Sequence, residues 1–277
     1  MKTEIWKIRF ISGRILHYLT CSIIFIFLAG PFIWFLSVSL RKGEDVFTFS
    51  LIPENPTLEN YRYVWEYAGM ERAFVNSIFV TVLTIAGNVL LASMAAYPLA
   101  RYQFKGRNII LFVILSTMMV PFQLMMIPLF DIVRFMGLYD TLWALILPSS
   151  VGAFTIFLIR QAYLTIPRDI EESARLDGAG EIRIWWQIML PLVKPALATL
   201  AIFVFVFTWG DFMWPLIILQ SEDKFTLPLQ VASLMGTFSA DYHYLAAASI
   251  IGIIPVFVLF LFLQRYFIKG IFAGSIK

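Results

Sequence analysis

The chain has 277 residues, of which 60% are hydrophobic and only 14% are charged, and its formal net charge is +3. Soluble domains are roughly half apolar and a quarter charged, so this composition excludes an ordinary soluble protein and predicts an integral membrane protein. The single cysteine, Cys21, excludes an internal disulfide framework.

Long uncharged runs predict six transmembrane helices. A helix needs about 20 mainly apolar residues to cross the hydrocarbon core, and each run supplies most or all of them. Such runs must be helical because lipid offers no partner for backbone amides. The predicted spans are residues 15–40, 73–100, 108–130, 141–159, 195–219 and 242–264. The predicted fold is therefore an all-α polytopic membrane protein with one transmembrane domain over residues 1–277.

Positive charges are distributed unequally between the segments that separate these spans. With six spans, both termini lie on one side of the membrane together with the second and fourth loops. That side carries 15 lysines and arginines, and the other side carries 6. Because positively charged loops stay preferentially in the cytoplasm, this pattern predicts cytoplasmic termini, a cytoplasmic loop over residues 160–195 and a cytoplasmic tail over residues 265–277.

Prolines interrupt several predicted spans, including Pro121 and Pro128 in the third and Pro215 in the fifth. Broken helices are tolerated at membrane depth where the freed carbonyls face protein or a water-filled cavity. The prolines therefore indicate either a path through the protein or ordinary helix kinks.

A charged stretch, EESARLDGAGEIRIWWQIMLP, occupies residues 171–191 of this apolar chain. Pro167 suits the first turn of a helix, and Gly178 can adopt the left-handed conformation that ends one. A second helix is predicted after Gly180, with one apolar stripe formed by Ile182, Trp185, Trp186 and Met189. We call these two predicted helices, residues 167–191, the elbow.

The elbow has two possible roles on these grounds alone. It could be an amphipathic hairpin that rests in the lipid headgroups. It could instead be a rigid projection that docks into a groove of a partner, with Ser173 and Ala174 as a small face for close approach. In the second case Glu172, Arg175 and Asp177 offer charges to the partner.

The spacing within the elbow resembles a known family motif: E-A-A, three residues, G, nine residues, then I-x-L-P. Here Glu172-Ser173-Ala174 is followed at these spacings by Gly178 and by Ile188-Met189-Leu190-Pro191. The sole departure is serine for alanine at 173. The chain thus resembles permease subunits of binding-protein-dependent ABC importers, whose fold is the type I importer permease fold.

Three further segments resemble the maltose-type carbohydrate permeases of that family. They are NPTLENYRYVW in the first outer loop, WGDFMWPLIIL at residues 209–219 and the C-terminal QRYFIKGIFAGSIK. Gly210 replaces the family's usual asparagine, which weakens any substrate role inferred from that segment. The resemblance therefore extends along nearly the whole chain.

The resemblance implies a docking role for the elbow and for the C-terminal tail. The elbow residues expected to couple to an ATPase subunit are Glu172, Ser173, Ala174, Arg175, Leu176, Asp177, Gly178, Ile188, Leu190 and Pro191. The tail residues expected to contact that subunit are Gly270, Ala273, Gly274 and Lys277. The implied partners are a second homologous permease, an ATPase dimer, an extracytoplasmic sugar-binding protein, the sugar and the lipid bilayer of a bacterial cytoplasmic membrane. The outer loops near residues 41–72 and 220–241 are expected to meet the binding protein.

Asp211 lies inside the fifth predicted span, where a carboxylate should face protein or water because it is costly in lipid. One interpretation is a substrate path, with Trp209 and Trp214 offering ring faces to a sugar and Asp211 bonding its hydroxyls. The other is a structural carboxylate that holds a neighbouring helix or the partner permease.

Motifs for other functions are missing from the sequence. It contains no G-x-x-x-x-G-K-[ST] phosphate-binding loop, so ATP and its Mg are expected on the partner ATPase and no cofactor on this chain. No spacing predicts a metal site or nucleic-acid binding, and no G-x-S-x-G or G-x-G-D suggests an intramembrane hydrolase. The remaining alternatives are a permease for a phosphorylated sugar or polyol, such as glycerol phosphate, and a secondary transporter or channel that works alone.

Overall fold

The described part of the chain, residues 2–42, 50–237 and 241–273 of a computed structural model, is helical and contains no strand. Side chains are described for Arg14 and within 16–42, 50–236 and 241–262. The α-helices are α1 Lys2–Ser39, α2 Glu59–Tyr67, α3 Met70–Gly87, α4 Ser93–Arg101, α5 Arg107–Ser116, α6 Phe122–Phe135, α7 Trp143–Ser149, α8 Ala153–Leu164, α9 Asp169–Leu176, α10 Glu181–Arg183, α11 Leu190–Leu192, α12 Lys194–Trp209, α13 Met213–Ile218, α14 Leu227–Thr237 and α15 Tyr242–Ala273. The predicted all-α class is confirmed.

Three helical segments are long and apolar enough to cross a membrane: Leu16–Ser39, Met70–Arg101 and Tyr242–Phe262. Three helix pairs also qualify together but are bent at a short break. These pairs are Arg107–Met119 with Phe122–Phe135 (104°), Trp143–Ser149 with Ala153–Leu164 (43°), and Glu181–Leu192 with Lys194–Trp209 (77°). By length and composition the described chain thus has 3 candidate spans, or up to 6 if each bent pair is one span, and the cytoplasmic placement of the termini stays a prediction.

Helix breaks fall inside two of the proline-containing predicted spans. Within residues 108–130 the helix ends before Pro121, because the residue preceding a proline is driven out of the helical region; Val120 has ψ of 116°. Within 195–219, α12 ends at Trp209 and α13 begins at Met213. Uncharged runs predict which residues lie within the membrane, whereas the local backbone decides where each helix ends.

The segment Met70–Arg101 is continuous but contains a π-helical turn at Asn88–Ala92. The Asn88 side chain donates a hydrogen bond to the Ser149 carbonyl at 2.7 Å and accepts one from the Thr155 hydroxyl at 2.9 Å. These two partners lie on either side of the break between α7 and α8. A buried amide therefore bonds both helices of the broken pair and supplies a donor to the carbonyl at the end of α7.

The chain forms two compact units, and most of the apolar core lies in the second, Gly69–Ser233 with Gly252–Lys277. The first unit comprises Met1–Ala68 and Leu234–Ile251. In it, buried Asn60 donates hydrogen bonds to the carbonyls of Ser39 and Arg41 at 2.8 and 2.7 Å. The second asparagine of the NPTLENY stretch thus caps the end of α1.

Candidate functional site

The elbow consists of α9, a glycine turn and the segment from α10 through a π-helical turn, Ile184–Met189, to α11. Acidic residues in the first turn of α9 face the positive end of that helix. Gly178 has φ of +80°; its N–H bonds the Arg175 carbonyl and the Ala179 N–H bonds the Ala174 carbonyl, both at 3.0 Å. This pair of hydrogen bonds is a Schellman motif, which fixes the direction of the chain after the helix.

The face of the second arm differs from the predicted stripe. Trp185 and Met189 are buried as expected, but Ile182 is 82% exposed and Trp186 is 54% exposed. Ile184, which the period of 3.6 residues places elsewhere, is fully buried. A π-helical turn begins at Ile184, and its buried side chains are Ile184, Trp185 and Met189.

The predicted docking residues do not all reach the surface. Glu172, Ser173, Leu176, Asp177, Gly178 and Pro191 are exposed, while Ile188 and Leu190 are half-buried. Ala174 is buried in the apolar cluster of the second unit, so within this chain it packs inward, and its contact with an ATPase subunit stays a prediction. Its small side chain allows α9 to approach the rest of this chain.

An ion pair joins the two arms of the elbow. The Arg175 guanidinium donates two hydrogen bonds to the Glu181 carboxylate, at 2.6 and 3.2 Å, and the Tyr102 hydroxyl donates a third at 2.6 Å. The bonds from Arg175 and then Tyr102 lower the pKa of Glu181 to about 2. Burial, followed by the bond to Glu181, raises the pKa of Tyr102 to about 12. Arg175 is therefore engaged within the chain, where the sequence suggested an open charge for a partner.

A second ion pair, which the sequence analysis missed, lies beneath the elbow. Arg101 at the end of α4 and Glu171 in the first turn of α9 approach to 3.3 Å, and their side chains are only 4% and 3% exposed. Glu171 adjoins the motif residue Glu172, and nothing in the local sequence distinguishes the buried carboxylate from the exposed one.

The residues proposed for a substrate path separate into two groups. A cleft of about 510 Å³ in the second unit is lined by Asp211 and by Asn88, Phe154, Thr155, Phe203 and Phe207, among others. Trp209 and Trp214 do not line it: both are buried, and their indole N–H groups donate to the carbonyls of Gly252 and Ala144 at 2.9 and 3.0 Å. The tryptophans are packing residues here, and the phenylalanines supply the aromatic faces.

Asp211 also has a structural role. Its carboxylate accepts a hydrogen bond from the backbone N–H of Trp214 at 3.3 Å, which caps the start of α13. The Asp211 side chain also lines the cleft, and the lining includes Thr226 with its hydroxyl. That hydroxyl is buried and has no hydrogen-bond partner among the described residues. Both interpretations of Asp211 are therefore compatible in one geometry.

Asp140 organises the segment that follows α13. It has φ of +56°, and its carboxylate accepts hydrogen bonds from the backbone of Gln220 and Ser221 and from the Lys224 ammonium, at 2.9, 3.1 and 2.7 Å. Burial opposes ionisation, but the bonds from Lys224 and Ser221 outweigh it and hold the pKa of Asp140 well below its usual range. The carboxylate therefore fixes the start of the predicted outer loop 220–241.

The residues predicted to form the C-terminal contact lie at the end of α15 and after it. Gly270 and Ala273 belong to α15, of which only the backbone is described at that end. Gly274 and Lys277 lie outside the described residues. Their contact with an ATPase subunit stays a prediction.

The family described as binding-protein-dependent transport system inner membrane component matches residues 88–273, more than half of the chain. The chain belongs to this family. The arabinooligosaccharides transport system permease protein AraQ of Halalkalibacterium halodurans is 37% identical over 252 residues, which cover 89% of this permease and 90% of that protein. The galactooligosaccharides transport system permease protein GanQ of Bacillus subtilis is 33% identical over 279 residues, 98% of each protein.

A solved structure agrees with the permease fold. It is a bacterial ABC transporter involved in the import of the acidic polysaccharide alginate, which matches with a TM-score of 0.79 and 29% identity over 92% of this permease and 98% of that chain. These findings confirm the resemblance to carbohydrate-type ABC importer permeases. The family consists of transporter permease subunits rather than enzymes and belongs to the inner membrane.

Proposed function

We propose that the permease imports a sugar, in the first place an oligosaccharide, by ATP-driven alternating access, and that a separate ATPase dimer docks on the elbow. The observation that carries this proposal is the exposed apolar tip of the elbow. Leu176 is 89% exposed and Ile182 is 82% exposed, on two arms held by the Schellman motif and the Arg175–Glu181 pair. A rigid apolar tip of this kind suits a groove in another protein.

The charges beside the tip favour a protein groove over lipid headgroups. Glu172 and Asp177 are exposed next to Leu176, and Arg183 is exposed next to Ile182, while Arg175 is paired with Glu181. The tip of the first arm is therefore acidic. Cytoplasmic leaflets carry negative surface potential, which attracts basic segments and repels acidic ones. We therefore prefer an ATPase cleft with basic groups as the site that receives the tip.

The chemistry of the cleft supports a neutral sugar as the substrate. Its described lining contains the carboxylate of Asp211 and no lysine, arginine or histidine. A carboxylate accepts hydrogen bonds from sugar hydroxyls but repels phosphate, so this lining disfavours the phosphorylated alternative. Relatives named for arabinooligosaccharides and galactooligosaccharides support an oligosaccharide. Phe154 and Phe203, whose ring centroids are 5.3 Å apart, could stack on sugar rings.

The remaining subunits follow from the same proposal. A second homologous permease completes the membrane pore, and an extracytoplasmic sugar-binding protein delivers the substrate to the outer loops. The ATPase subunits bind ATP and Mg, since this chain has no phosphate-binding loop. The outer segment fixed by Asp140 is one part of the surface offered to the binding protein.

The test is reconstitution with a second permease, an ATPase and a binding protein in proteoliposomes. We expect the ATPase to co-purify with the permease, and the sugar-loaded binding protein to stimulate ATP hydrolysis several-fold. Sugar uptake by the permease alone, without ATP or partners, would instead identify a secondary transporter or channel.

Replacement of Asp211 by asparagine tests the cleft. Asparagine keeps an oxygen that can cap α13 but removes the charge, and hydrogen bonds to charged groups contribute about 1.5–3 kcal/mol. We therefore expect the KM for sugar uptake to rise about tenfold or more, with assembly intact and some uptake retained. The matched control is Asp131→Asn on α6, exposed and outside the cleft lining, which should leave KM unchanged. An unchanged KM for Asp211→Asn would assign the carboxylate to helix capping alone.

A further inference from the structure

The buried pair of Arg101 and Glu171 lies where the ends of two helices meet. Arg101 is in the last turn of α4, whose carbonyl end is negative, and Glu171 is in the first turn of α9, whose amide end is positive. Each charge is therefore favoured by its own helix end as well as by the opposite charge at 3.3 Å.

The surroundings of the pair make each charge depend on the other. The apolar cluster around it includes Tyr97, Ala100, Ala174 and Ile184, which come from both the elbow and α4. The Arg101 Nε and Glu171 Oε1 atoms have no hydrogen-bond partner among the described residues. The contact is thus a charge pair rather than an aligned hydrogen bond. Its separation would leave each desolvated charge with only neutral partners, such as the Ile166 carbonyl for Arg101 and the Tyr97 hydroxyl for Glu171.

Further bonds hold the same two regions together. The Arg101 Nη2 atom donates to the Ile166 carbonyl at 2.8 Å, just before the elbow, and Arg160 Nε donates to the Leu99 carbonyl at 3.1 Å. On the other arm, the Tyr102 hydroxyl donates to Glu181. The end of α4 is therefore bonded to both arms of the elbow and to the segment that leads into it.

We infer that Arg101 and Glu171 are positioning residues that couple displacement of the elbow to the helical segment Met70–Arg101. This inference rests on the proposed docking of an ATPase at the elbow. The exposed tip receives the motion, and the buried pair prevents the elbow from sliding along the end of α4. The moving segment then carries the motion toward Asn88, which lines the cleft.

The first test is Glu171→Gln in the complete reconstituted transporter. Glutamine keeps the shape of the side chain and removes the attraction for Arg101. We expect the ATPase to remain bound and to hydrolyse ATP within about twofold of wild type, while sugar imported per ATP falls about fivefold or more. Asp131→Asn, an exposed carboxylate on α6 that lies outside the elbow and the cleft lining, is the control and should leave this ratio unchanged.

The two proposals fail in different ways. A wild-type ratio of sugar to ATP in Glu171→Gln, with the ATPase bound, overturns the coupling role and leaves docking intact. A wild-type permease that retains no ATPase overturns the proposed docking, and the coupling inference with it.

A distance measurement keeps the inference testable if Glu171→Gln does not assemble. Replacing Cys21, the single cysteine, with serine allows spin labels at Asp169 and Gln103, and at Asp169 and Asp131, in otherwise wild-type transporter. Between nucleotide-free and vanadate-trapped states we expect the 169–103 distance to stay within about 2 Å while the 169–131 distance changes more. A change in the 169–103 distance, or no change in either, contradicts the inference.

Discussion

Replacing Gly178 with proline is expected to abolish sugar uptake while the permease remains inserted in the membrane. Gly178 has φ of +80°, whereas the proline ring fixes φ at about −65°. The substitution also removes the N–H that bonds the Arg175 carbonyl. Because this turn joins the two arms, we expect a local cost of about 3 kcal/mol or more and loss of the elbow's shape. The measurements are uptake of labelled oligosaccharide and the amount of ATPase retained by the purified permease.

Gly180 provides the matched control for this substitution. Its φ of −72° and ψ of 158° are values that proline adopts without strain. Gly180→Pro should therefore keep near wild-type uptake, although it lies two residues away. Wild-type uptake by Gly178→Pro itself would mean that the elbow does not drive transport. We also expect Asp211→Asn to harm transport less than Gly178→Pro, because it leaves the docking surface in place.

Replacing Gly87 with alanine is expected to destabilise the second unit. A Cβ at this position would lie 2.8 Å from both the Cβ and the Oγ of Ser150. Although alanine is the better helix former, overpacking at such a close approach typically costs about 1–3 kcal/mol. The next residue, Asn88, bonds both sides of the break between α7 and α8, so a shift of the helix would disturb these bonds as well. The measurement is the thermal unfolding midpoint of the purified permease.

A compensating substitution separates this clash from other effects. Ser150→Gly removes the two nearest atoms and leaves the Cα at 3.3 Å from the new methyl group, so the double variant should recover part of the lost stability. Gly252→Ala, in α15, is the control, because no atom lies within 4 Å of a Cβ built there. No loss of stability in Gly87→Ala would show that the helices can separate at this point at little cost. A loss that the double variant does not recover would show that the contact with Ser150 is not its cause.

Much of the elbow could be predicted because its determinants are local. Gly178 in the left-handed region and the acidic first turn of α9 depend on residues within one or two helical turns. The apolar stripe was less predictable: Ile184 is buried, whereas Ile182 and Trp186 are exposed, because packing against the rest of the chain decides which face is covered. Similarly, tryptophan is a residue type expected in a sugar site, but the indole N–H groups of Trp209 and Trp214 donate to carbonyls far away in the chain.

By itself the sequence determined the membrane class, the helical fold, the family and the position of the elbow, since hydrophobicity, charge distribution and turn chemistry act over short stretches of chain. Only the tertiary structure decided that Glu171 is buried against Arg101, that phenylalanines rather than tryptophans line the cleft, and that Asn88 joins a broken helix. These contacts join residues far apart in the chain. Identical side chains at neighbouring positions, such as Glu171 and Glu172, become different only when another helix packs against one of them.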